Sequence, residues 1–453
     1  MRQLFFDHLL LPAGWAENVR LTVADGRIAA VEAGAARAGA EHVAGIALPG
    51  LPNLHCHAFQ RGMAGLAERR GPTEDSFWTW REVMYAFLGR LSPDDVEAIA
   101  AFAYMQMLES GFTAVAEFHY LHHDVDGRPY GDLGEMAARI AAAAAETRIG
   151  LTLLPSFYAA GGFGGAAPTA GQRRFLNDPD RFAKLVQRCR AVAAGLPDAQ
   201  VGIAPHSLRA VTPESLRAVV AAHPQGPLHI HAAEQLKEVE DCVAALGARP
   251  VAWLLANAEV DTRWCVIHAT HMTEDETDRL AASGAVAGLC PLTEASLGDG
   301  TFAGARYLGA GGRFGVGTDS NIAIDAAGEL RQLELSQRLA HRARNVLAAH
   351  DSVGRRLVDG ALAGGAQALR REIGAIAPGR RADIVALDAA HPDLAGRSRD
   401  LWLDAWVFVA GRALVKSVLV GGEAVVAEGR HLRHDMIAAR YRRTLTRLLD
   451  AAP

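Results

Sequence analysis

Through the middle of the chain, short apolar runs alternate with alanine- and leucine-rich stretches long enough to form helices. The strand-like runs are 47–51, 114–118, 151–157, 201–204, 228–230, 264–267, 286–289 and 314–316. Helical patterns fall at 93–110, 133–147, 180–194, 213–222, 234–246, 275–283 and 329–348. This alternation predicts an α/β protein, and the eight strands predict a closed (β/α)8 barrel rather than an open doubly wound sheet. The two ends read differently. Runs 19–23 and 27–31 flank an Ala24-Asp25-Gly26 turn, and 382–387, 405–409, 417–420 and 423–427 repeat that style around Gly421-Gly422. They predict a small β-sandwich domain built from both termini. Residues 1–48 supply one part and 376–453, with a terminal helix, the other; 49–375 form the catalytic barrel. The glycine-rich stretch 161–171 predicts a mobile loop after the third strand.

Half of the 453 residues are hydrophobic and 21% are charged, so the chain can bury a large core. Lysine plus arginine is 46 against 51 aspartate plus glutamate, a net charge of −5. That balance argues against a general nucleic-acid or membrane-surface binder. Five widely spaced cysteines without a CxxC pair read as thiols in a reducing compartment. The N-terminal apolar run is broken by Asp7 and His8 and lacks a cleavage site. No later run reaches the roughly 18 apolar residues of a membrane span. The expected location is the cytoplasm.

Ionisable residues cluster where the barrel strands end, which is where a (β/α)8 barrel places its chemistry. His55 and His57 follow the first strand-like run, and in extended backbone side chains two apart share a face. Both imidazoles can therefore reach one ion, although an isolated HxH pair more often serves packing than metal binding. Three later strands strengthen the case with His229, His231 and Glu234, with His268 and His271, and with Asp319. His229 and His231 share a face; His231, nearer the rim, is the expected site residue, and His229 reads as a packed, hydrogen-bonded core histidine. His268 directly follows its strand and is assigned to the site, whereas His271 reads as a helix cap or outer support. Asp319 is a candidate carboxylate ligand, with a helix N-cap or turn as the alternative. Three histidines and one carboxylate suit zinc, and the same ligands accept iron or manganese. Glu234, placed at the start of the following helix, is the expected proton shuttle; the bland alternative is a first-turn glutamate favoured by the helix dipole.

These residues carry a resemblance. The strings LPNLHCHAFQR, HSLRAV, HIHAAEQ, CVIHATH and CPLTEASLGDG, in this order, resemble the amidohydrolase superfamily over essentially the whole chain, and within it the formimidoylglutamate deiminases of bacterial histidine breakdown. The resemblance implies one metal held by His55, His57, His231 and Asp319, with Glu234, His268 and Asp319 serving catalysis. Members with two metals use a carboxylated lysine near the fourth strand. Here no lysine lies between Lys184 and Lys237, and that strand ends in Ala204-Pro205-His206. The implied reaction is hydrolysis of N-formimidoyl-L-glutamate to N-formyl-L-glutamate and ammonia. A small dicarboxylate needs cationic forks and hydrogen-bond donors. His206, Arg209, Tyr120 and Gln60 are the candidates. Arg81 is a further one, which the resemblance sends to a neighbouring subunit's pocket in a homodimer; the alternative is a surface arginine over aromatics. Trp78 and Trp80 are then interface or pocket-wall residues. One rival is a related aminohydrolase acting on guanine or another aminated heterocycle. The other is an inactive barrel with a structural or regulatory role, against which the intact histidine, glutamate and aspartate set speaks.

Overall fold

The computed structural model describes residues 1–71, 75–348 and 351–450. Strands from both termini pair into one sheet in the order Arg430–His431, Glu423–Ala427, Val415–Val420, Ile384–Leu387, Ile46–Pro49, Arg2–Leu11, Gly14–Ala24 and Arg27–Glu32, with Glu41–His42 beside Arg2–Leu11. Strand alternation divides this sheet between two cores. Ala47, Ile384 and Ala386 join Leu4, Phe6, Leu9 and Leu21 in a core belonging to the β-sandwich. Their neighbours Ile46, Leu48, Val385 and Leu387 face the other way and merge with the core of the barrel.

The expected 47–51 strand is in fact the junction of two. Ile46–Pro49 belongs to the terminal sheet and Leu51–Cys56 is the first barrel strand. The chain changes sheets at Gly50, where a Cβ would stand 2.2 Å from the Thr113 side chain. His55 therefore lies within its strand rather than after it. The expected 405–409 strand is also corrected: Asp400–Ala405 is helical and continues into a wider helical turn, Trp406–Ala410. A short, wholly apolar run has no period to separate strand from buried helix, and Trp406 is fully buried.

The barrel strands are Leu51–Cys56, Phe112–His119, Gly150–Phe157, the two short pieces Gln200–Val201 and Ala204–Pro205, Leu228–Ala232, Trp264–His268, Val286–Leu289 and Arg313–Val316. Among the described residues they form two parallel arcs, strands one to four and five to eight. Single bridges close the arcs into a barrel: Ile203 with Leu228 and Ser207 with His231 on one side, Cys56 with Asp319 on the other. At the second seam His57 N–H donates to the Asp319 carbonyl and Asp319 N–H to the His55 carbonyl, each at 3.0 Å.

Helices Pro93–Ser110 and Pro213–Ala222 match their expected spans, each opened by a serine or threonine cap and a proline in its first turn. The 329–348 pattern resolves as Ala326–His341, and the 234–246 pattern starts two residues later, at Leu236. Helices Phe77–Leu88 and Val353–Leu369 were not anticipated. No helix among the described residues is long and apolar enough to cross a membrane.

Close approach at the second seam depends on Gly317. A Cβ there would fall 2.7 Å from both the backbone nitrogen and oxygen of His55. Gly317→Ala is expected to lower unfolding free energy by about 1–3 kcal/mol in denaturant titration, because backbone atoms have to move. Gly309→Ala, with nothing within 4 Å of the added carbon, should stay within about 0.5 kcal/mol.

Candidate active site

Four strands deliver side chains to the centre of the barrel mouth. His55 comes from the first strand and His57 from just after it, His231 from the fifth, His268 from the end of the sixth, and Asp319 from the turn after the eighth. His268 and Asp319 have left-handed backbone, φ 66° and 43°. Non-glycine residues pay a strain penalty there, and such positions concentrate where a side chain has to be re-aimed. Asp319 is no helix cap, because the next helix is preceded by Asp325.

The ring nitrogens are directed by the backbone. His57 Nδ1 lies 2.9 Å from the Phe118 carbonyl and His231 Nδ1 2.8 Å from the His206 carbonyl. A carbonyl only accepts, so each Nδ1 donates and each Nε2 keeps its lone pair. The His55 and His231 Nε2 atoms face each other at 3.2 Å. Asp319 Oδ1 sits 3.4 Å from His55 Nε2 and 3.3 Å from His57 Nε2. His55, His57 and His231 offer ligand atoms that lie within 4.8 Å of one another. Lone pairs and a carboxylate that converge among buried side chains call for a cation, so this donor set fits a metal ion.

The surrounding charges agree. Burial pushes His55 down to about 3, despite its bond to Asp319. Burial would raise Asp319, but the His55 bond and the charges of His57 and His268 hold its carboxyl well below the usual range. His268 behaves oppositely. Burial works against its charge, yet Glu234, Glu294 and Asp319 raise it to about 10. Its Nδ1 donates to Glu294 Oε1 at 3.2 Å, and its Nε2 lies 3.7 Å from both Glu234 and Asp319. Glu294, also fixed by the Cys290 N–H at 2.9 Å, was not singled out from the sequence.

Glu234 precedes its helix rather than starting it. The Glu238 carboxylate accepts the N–H groups of Ala233 and Glu234, holding the turn that aims Glu234 at the site. Burial raises the Glu234 carboxyl, against the pull of His268 and Arg209, and Arg209 Nη2 lies 3.4 Å from Glu234 Oε2. His229 is a core residue bonded to the Ala368 carbonyl at 2.9 Å. His271 lies outside the centre and does not cap the next helix, a role taken by Thr273.

Above this centre is a cavity of about 60 Å³. One face of helix Phe77–Leu88, carrying Phe77, Trp80, Arg81, Met84 and Tyr85, forms a wall. Arg81 lines this pocket and lies over the Trp78 and Tyr85 rings. Trp78 lies between cations, 4.7 Å from the Arg81 guanidinium and 5.8 Å from that of Arg209. Both arginines have a buried Nε without a partner. Gln60 Nε2 donates to the Tyr120 hydroxyl at 2.8 Å, while its Oε1 is buried and unpartnered. His206 lines the same cavity, and burial together with Arg209 pushes its pKa far down.

The sequence profile of the Amidohydrolase family matches residues 46–425. A profile described as "Formimidoylglutamate deiminase HutF, N-terminal domain" matches residues 1–44. The chain is 51% identical to formimidoylglutamate deiminase of Pseudomonas aeruginosa, over 99% of this chain and 100% of the relative. It is 29% identical to a 5-methylthioadenosine/S-adenosylhomocysteine deaminase of Natronomonas pharaonis, covering 86% and 83% of the two chains. A crystal structure of an amidohydrolase from Brucella melitensis superposes with a TM-score of 0.95 at 53% identity, covering 99% of this chain and all of the other. The chain therefore belongs to the amidohydrolase family and, within it, to the formimidoylglutamate deiminases.

Proposed function

We propose that this protein hydrolyses N-formimidoyl-L-glutamate to N-formyl-L-glutamate and ammonia, using a single zinc ion held by His55, His57, His231 and Asp319. The observation that carries the reading is a cation-requiring donor set lying directly below two guanidinia with unspent donors. When bound, the metal supplies Lewis acidity and lowers the pKa of a water molecule.

The residues of the chain supply the rest. Gln60 Oε1, the unpartnered acceptor, receives an N–H of the formimino group, which is cationic when protonated. Arg209 and Arg81 bind the carboxylates, for which a guanidinium fork is suited. Glu234, whose carboxyl is raised by burial, takes a proton from water and delivers it to the departing nitrogen. His268, oriented by Glu294, stabilises negative charge beside Asp319. Water adds to the formimino carbon, the terminal C–N bond breaks, ammonia leaves, and the carbonyl of the N-formyl product remains.

Zinc-loaded protein is expected to release ammonia from N-formimidoyl-L-glutamate and not from guanine or 5′-methylthioadenosine. Turnover of a heterocycle with none of the formimino compound would overturn the substrate assignment. Glu234→Gln should lower kcat by about 10²–10⁴-fold, the usual contribution of a general acid–base, with metal content unchanged. The two arginines should separate in steady-state kinetics. Arg81→Ala should mainly raise KM, whereas Arg209→Ala should also lower kcat because it releases Glu234.

A further inference from the structure

One pocket donor is a neutral hydroxyl whose direction is set by the fold. Tyr158 follows the third barrel strand and lines the cavity with Arg81 and Arg209. Its ring lies 4.7 Å from that of His206. Gln172 stands behind it. The Gln172 Oε1 accepts the Thr169 N–H at 2.8 Å, which fixes the orientation of the amide. Its Nε2 therefore donates to the Tyr158 oxygen at 2.7 Å and to the Gly161 carbonyl at 3.3 Å. A phenol that accepts through its oxygen keeps its own proton for another partner.

The neighbouring Tyr85 hydroxyl does not alter this count. The bond between the two phenols acts to lower the Tyr158 pKa, so Tyr85 is its donor and the Tyr158 proton remains. Arg81 and Arg209 are donors only, so neither can receive it. Among the described residues the Tyr158 hydroxyl donates to no protein acceptor, and an acceptor that a ligand brings between two guanidinia is an anion.

We propose that Tyr158 is a specificity residue whose hydroxyl, directed by Gln172, donates to a substrate carboxylate held by Arg81 and Arg209. This rests on the deiminase reading, which supplies a ligand with two carboxylates. It also gives the 161–171 segment a task. Through Gly161 and Thr169, Gln172 ties the two ends of that segment to the wall that meets the substrate. An uncharged heterocycle would leave both the hydroxyl and the guanidinia unmatched.

The test compares wild-type and Tyr158→Phe protein, both metal-loaded, on three compounds. These are N-formimidoyl-L-glutamate, N-formimidoyl-4-aminobutanoate (no carboxylate beside the nitrogen) and N-formimidoyl-L-2-aminobutanoate (no distal carboxylate). On the parent compound the variant should lose ~10- to 100-fold in kcat/KM, through KM, as expected for a hydrogen bond to a charged group. On one of the two analogues that loss should shrink to within about threefold, which also identifies the carboxylate. Ratios between substrates within one variant do not depend on the fraction correctly folded. Should Tyr158→Phe give no soluble protein, Gln172→Met should reproduce the pattern with a smaller loss. An undiminished loss on both analogues, or no loss on the parent, would overturn the proposal. Failure of the wild type to turn over the parent compound would instead remove the deiminase reading on which it stands.

Discussion

The eighth barrel strand has to come within backbone hydrogen-bonding distance of the first, and both fold and site depend on that contact. The two arcs of the barrel meet through isolated bridges, and two residues of the centre, His231 and Asp319, take part in them. His55 and His57 exchange backbone bonds with Asp319 at one seam, and His231 N–H donates to the His206 carbonyl at the other. A polar clasp holds the first seam. Asn53 receives Thr318 N–H at 3.1 Å and donates to its hydroxyl at 2.8 Å, while Asn321 donates to the carbonyls of His57 and Asp319. Every member is buried and bonded, the condition under which a polar network specifies one geometry. Closing the barrel thus brings the candidate ligands together, and an ion bound there would span both seams.

Burial then does the electrostatic work. The same low-polarity environment keeps the imidazoles of His55, His57 and His231 neutral and raises the Glu234 carboxyl. Neutral imidazoles are suited to hold a metal ion, and a carboxyl raised by burial is suited to carry a proton. His268 departs from the pattern because three carboxylates surround it. One environment therefore produces three chemical roles, separated by which partners each group is allowed.

Much of this was legible in the sequence because it is local. Period-two spacing put His55 and His57 on one face, and His231, Glu234, His268 and Asp319 each follow or end an apolar run. The choice of His231 over His229 agrees with the structure, where His229 binds the Ala368 carbonyl instead. What the sequence concealed depends on distant parts meeting. Asn53 and Asn321 meet through Thr318 only after closure, and Glu294 reaches His268 from the first turn of helix Pro291–Leu297, which follows the seventh strand. The 47–51 run hid a change of sheet at Gly50, and the apolar 405–409 run had no period to mark it as helical. Arg81 was named as a substrate candidate, but the pocket its helix face lines appears only when Phe77–Leu88 lies over the barrel mouth.

The central claim is that a single cation joins the two seams. Elemental analysis of protein purified without chelator, per chain and alongside His231→Ala, tests it most directly. The account predicts close to one equivalent of metal in the wild type and its loss in the variant. No metal after reconstitution would contradict it, and so would two equivalents, with the second held by His268, Cys290 and Glu294.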